Sequence, residues 1–74
     1  MKTVVIYARD MQAGYDYVTE NPTVTEHVDW HIVTPDNPAR VRGLNVDEVL
    51  EVPGVYAHRA AQAVRGLIYT RTKR

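Results

Sequence analysis

Apolar and polar positions change rhythm several times along the 74-residue chain, and each change marks an element. Residues 2–8, KTVVIYA, are apolar and β-branched without alternation, the pattern of a strand buried on both faces. Asp10 can then cap a helix in which Met11, Tyr15 and Val18 share one face, and Pro22 ends it by biasing Asn21 away from helical geometry. Residues 27–33, HVDWHIV, alternate strictly. Val28, Trp30 and Ile32 fall on one side and His27, Asp29 and His31 on the other, which predicts a strand with one wet face at a sheet edge. A short helical turn begins at Pro38, capped by Asp36 or Asn37, and stops at Gly43. Residues 46–52, VDEVLEV, predict a third strand, with Leu50 and Val52 on one face, Val49 on the other, and Pro53-Gly54 as its stop. From Val55 to about Thr72 the spacing predicts the longest helix, with Tyr56, Ala60, Ala63, Val64 and Leu67 as its apolar stripe and Arg59, Gln62, Arg65 and Tyr69 opposite.

The order is β-α-β-α-β-α. Strands alternating with helices predict an α/β fold around a small three-stranded parallel sheet with right-handed crossovers, two main helices and one short one. If the first strand is central, the spatial order is 2-1-3 and both faces are covered. The alternative, 3-2-1, leaves a face open and favours a homodimer across it. Residues 1–74 are too few for a second domain. The tetrapeptide VRGL occurs at 41–44 and 64–67, once in a turn and once in a helix, so it marks no structural repeat.

The stretch HIVTPDNPARVRGLNVDEVLEVPG resembles the middle of a P-loop NTPase core, as in helicases and phage terminases. There a strand ending in Thr-Pro precedes an Arg-Gly turn and a strand whose end carries an Asp-Glu pair for magnesium and water. Carried onto this chain through Arg42-Gly43 and Asp47, that acidic pair falls on Val52 and Pro53, which bind no cation. Glu51 lies one residue early and on the other face of the strand. The first strand runs not into a Gly-rich loop ending in Lys but into ARDMQAGYDY, with one Gly, no Lys and an Asp that repels phosphate. Phosphoryl transfer needs those charges in place, so nucleotide binding and hydrolysis are not expected. As a whole the chain resembles small actinobacteriophage proteins with a degenerate P-loop or Rossmann-like half domain. That resemblance implies an accessory protein, located in the host cytoplasm, that binds a host protein or itself.

Composition narrows the chemistry further. There is no Cys, hence neither disulfide nor thiolate metal site, and no Ser for a nucleophile elbow. No apolar run approaches the roughly 20 residues of a membrane span, and MKTVVIYARD is too short and wrongly flanked for a signal peptide, so a soluble cytoplasmic chain is expected. Net charge is zero but segregated. Residues 1–35 set Lys2 and Arg9 against Asp10, Asp16, Glu20, Glu26 and Asp29, whereas from Arg59 onward there are only cations, Arg65, Arg71, Lys73 and Arg74. Such cations complement a helix C-terminus or meet an anionic partner.

The leading expectation is a non-enzymatic interaction protein with no cofactor, binding a protein partner or itself, with Tyr17 and Tyr69, which fall off the apolar stripes, at the contact surface. The second is a weak nucleic-acid binder: Arg40, Arg42, Arg59, Arg65 and Arg71 supply phosphate contacts, and Tyr56 and Tyr69 supply stacking faces. The third is a metal site at His27, Asp29 and His31, where two imidazoles and a carboxylate could ligate zinc, although strand spacing sets the two histidine Cα atoms about 13 Å apart. Asp47 and Glu48 are adjacent strand residues pointing to opposite faces, which suits solvated carboxylates better than an acid–base pair.

Overall fold

The computed structural model describes residues 1–70. Strand β1 (Lys2–Tyr7) leads through Ala8, Arg9 and Asp10 into helix α1 (Met11–Glu20). A 3₁₀ turn (Pro22–Thr25) precedes β2 (Val28–Val33), a second (Pro38–Val41) precedes β3 (Glu48–Glu51), and a third (Val55–Ala57) precedes helix α2 (Ala61–Thr70). The three strands form one parallel sheet in the order β2-β1-β3. The apolar β1 is therefore central, as its unbroken hydrophobicity requires: Val4, Val5, Ile6 and Tyr7 are all buried.

Pleating divides the core into two layers. Val4, Ile6, Ile32, Leu50 and Val52 face α1 with Ala13, Tyr17 and Val18. Val5, Tyr7, Val33 and Val49 face the other way, onto Ala61, Val64 and Ile68 of α2 and onto Val41 of the second 3₁₀ turn. Both faces are thus covered, and the 3-2-1 order with its open face is not the one adopted. Asp10 caps α1 as its sequence position predicts, its carboxylate accepting from the Ala13 amide at 2.7 Å. Gly14 lies on the buried face of α1, where a Cβ would stand 2.7 Å from Ile32 Cγ2. The glycine lets the helix approach β2 closely.

The helical stripes differ from the predicted ones. On α1, Tyr15 is exposed and meets Trp30 edge to face at 6.4 Å, whereas Tyr17, expected outside, packs on the core. The long C-terminal helix is broken. Gly54, at φ 94°, feeds the short 3₁₀ turn, His58 is extended, and α2 begins only at Ala61. Its buried stripe is Ala61, Val64 and Ile68, not Tyr56, Ala60, Ala63 and Leu67. The break resets the helical phase, so a stripe counted from Tyr56 points the wrong way. Arg59 consequently lies in the turn before α2 rather than on it. β3 is shorter than predicted because Val46 makes only an isolated bridge and Asp47 bends. No helix among the described residues is long and apolar enough to cross a membrane.

Candidate interaction surface

Ligands in open α/β sheets sit outside the carboxyl ends of the strands, where successive connections leave for opposite faces. Here that place is a crevice of about 310 Å³ lined by Arg9, Asp10, Asp36, Ala57 and His58. Its polar groups are engaged with one another. The Ala60 amide donates to His58 Nδ1 at 3.0 Å, so that nitrogen carries the lone pair and the proton resides on Nε2. Nε2 then donates to Asp36 Oδ1 at 3.1 Å. With both ring nitrogens used, His58 has no lone pair left to act as a base. It tethers the start of α2 to the loop after β2. Asp10 is held by the helix it caps and lies 3.7 Å from Arg9. The first amides of α1, which in P-loop folds receive phosphate, face a carboxylate of the chain itself.

Tyr7 performs a second tethering. It is completely buried at the carboxyl end of β1, and its hydroxyl donates to the Ala61 carbonyl at 2.6 Å. Burial, and secondarily the charge of Glu51, raise its pKa above the ordinary tyrosine value. Glu51 itself accepts from the Tyr56 hydroxyl and lies 3.6 Å from Arg65 Nε. Asp47 is not a free strand carboxylate either. It accepts from the Thr3 amide at 2.7 Å while its own amide donates to the Thr3 carbonyl, joining β3 to β1 where regular pairing begins. Glu48 pairs with Lys2.

The proposed metal trio is not assembled. Asp29 and His31 meet at 3.2 Å on β2, but His27 precedes the strand in a left-handed turn at φ 57°. Among the described residues no group of three or more His, Asp or Glu is arranged to hold a metal ion. The expected basic face is likewise redistributed. Arg65 is bound to Glu51 and lies 4.7 Å over the ring of Tyr69, so that ring already carries a cation on one face. Arg71 lies outside the described residues.

The outer side of α2 carries a large apolar side chain that stays exposed. Leu67 is 54% exposed, although the other large aliphatics of the helix, Val64 and Ile68, are buried. It borders a groove of about 300 Å³ between α2 and the second 3₁₀ turn, with Pro38, Ala39, Val41, Arg42 and Thr70. Arg40 and Arg42 are exposed beside it, and neither has a carboxylate partner among the described residues. Sequence reading singled out both arginines but put Leu67 in the core. The signal that would have moved it outward is His58, whose ring accepts from the Ala60 amide and marks a new helix start that shifts the phase. Compared with known proteins, the chain matches no family model, no curated protein and no solved structure.

Proposed function

We propose that this chain is a non-enzymatic interaction domain whose contact surface is the groove between α2 and the Pro38–Val41 turn. The observation that carries the reading is Leu67, a half-exposed aliphatic beside a groove lined by Pro38, Ala39 and Val41, with the unpaired Arg42 at its edge and Arg40 in the adjoining turn. Apolar surface of this kind, rimmed by charge, suits a protein partner that brings an apolar contact and carboxylates. The crevice at the carboxyl ends of the strands supports no catalytic reading, because its histidine has both nitrogens engaged.

A photo-reactive phenylalanine analogue placed at Leu67, and separately at Gln62 on another face of α2, tests this in the producing cell. A discrete cross-linked protein species from position 67 and none from position 62 is the expected result. A nuclease-sensitive adduct at position 67 would replace the protein partner with nucleic acid. Equal, diffuse labelling from both positions would remove the reading altogether.

A further inference from the structure

The partner's chemistry is already present on the opposite side of the same molecule. Between Arg9 and Arg40 the chain holds Asp10, Asp16, Glu20, Glu26, Asp29 and Asp36 and no lysine or arginine. The fold places α1 on one face of the sheet and α2 with the Pro38–Val41 turn on the other. Of these acids, Asp16 and Glu20 lie on α1, on the face of the sheet opposite α2 and the arginine-bearing turn. The unpaired charges are complementary. Arg40 and Arg42 lack carboxylate partners, and Asp16 and Glu20 on α1 lack cationic ones, among the described residues.

The acidic face also has a receptacle. Helix α1 packs against β2, on one side of the sheet, and between α1 and the end of β3 a groove of about 580 Å³ stays open. Its apolar lining includes Ala13, Tyr17, Val52 and Pro53; Asp16 and Glu20 lie along it without a cation, and Arg9, which also lines it, is paired with Asp10. An aliphatic side chain flanked by arginines is what such a groove accommodates, since the apolar floor takes the side chain and the carboxylates meet the guanidinium groups.

We infer that the partner is a second copy of this chain, docked head to tail, with Leu67, Arg40 and Arg42 of one copy seated in the α1–β3 groove of the next. The inference rests on the interaction surface proposed above and adds its occupant. Because the two patches differ, the contact is heterologous. Each copy keeps one patch free, and association continues into short chains or closes into a ring. Opposite charges steer the encounter and fix its polarity, so the association weakens as salt rises.

A pair of charge-reversed variants tests the geometry. The first carries Asp16→Lys and Glu20→Lys, the second Arg40→Glu and Arg42→Glu. All four positions are exposed, so both variants are expected to keep the parent's melting temperature; single replacements serve if a double one does not. By sedimentation at low salt, the parent's average mass rises with concentration. Each variant alone stays at the monomer mass, because like charges then face each other. An equimolar mixture regains the parent's mass, because every contact between the two unlike variants is complementary and they alternate along the assembly. A two-fold contact of α2 with α2 gives a different result: the first variant then associates as the parent does. That outcome overturns the proposal, as does a parent that stays monomeric at every concentration. If position 67 still cross-links to a different protein in the cell, the interaction surface survives and only its occupant is wrong.

Discussion

Tyr7 shows how much a single side chain can do when the chain returns to it from far away. Its hydroxyl, buried at the end of the central strand, is bonded to a carbonyl 54 positions later. Nothing in the local pattern of KTVVIYA announces that bond; the pattern announces only burial. The same holds for Asp47, bonded to the backbone of Thr3, and for His58, bonded to Asp36. A sequence reading locates such residues on elements but cannot foresee hydrogen bonds between segments it has not yet brought together. The Tyr7 bond has a measurable signature in pH. Its pKa is raised in the folded state, first by burial and then by Glu51, so the folded protein holds the phenolic proton more tightly than the unfolded chain does. The associated stability is complete below the unfolded value of about 10 and is lost as pH rises through the folded value. Tyr7→Phe should cost about 1 kcal/mol at neutral pH, the net worth of one such bond. It should also lose less stability than the parent on going from about pH 8 to about pH 11, because this proton no longer titrates. Urea unfolding of both proteins at the two pH values checks this, and the tyrosines they share cancel in the comparison. Equal alkaline losses would mean that Tyr7 is not held protonated by the fold.

At the scale of elements, the strands were easier to read than the helices. Unbroken apolar character put β1 in the centre, alternation put β2 at an edge, and the Asp10 cap fixed the start of α1. Strand faces repeat every two residues, so a boundary error of one or two positions leaves most assignments intact. Helical faces turn by 100° per residue, so one unrecognised break is enough to rotate a stripe. That is why a stripe counted through the break sets Leu67 and Tyr56 inside and misses Ile68. The two helical glycines make the consequence testable. In the middle of a helix, Gly to Ala ordinarily stabilises by up to about 1 kcal/mol. At Gly66 on α2 the added Cβ meets open space, and Gly66→Ala should give that gain. At Gly14 the Cβ would stand 2.7 Å from the branched Cγ2 of Ile32, which cannot swing aside as a flexible chain end can. Gly14→Ala should destabilise by about 1–3 kcal/mol, the usual cost of overpacking. Thermal melts of the two variants should move in opposite directions. Stabilisation by both would show that α1 does not lie against β2 as closely as described.

For the whole molecule, zero net charge is a poor description of how copies meet. The shortest extent of the domain is 17 Å, with the acidic helix on one face of the sheet and the unpaired arginines on the other. At about 0.01 M salt the Debye length is roughly 30 Å, so each face is felt by a neighbouring copy well before contact. At about 0.15 M it is roughly 8 Å, and only charges in near contact still count. A neutral chain with evenly mixed charges has little field to screen, and its pair interactions should change little over this range. A neutral chain with separated faces attracts its copies at low salt and loses that attraction as salt is added. The second virial coefficient from light scattering should therefore be negative at low salt near the isoelectric pH of about 6.8 and move upward as salt rises. Reversing Arg40 and Arg42 to Glu takes the net charge from zero to −4, so at the same pH the coefficient should turn positive at low salt and move downward as salt rises, the opposite trend to the parent. Replacing the exposed Leu67 by Asn should leave the long-range attraction nearly intact while removing the short-range adhesion seen at higher concentration. Charge separation thus sets the approach of two copies, and the apolar contact sets whether they stay. A virial coefficient indifferent to salt would show that the two charged faces do not act as opposed surfaces.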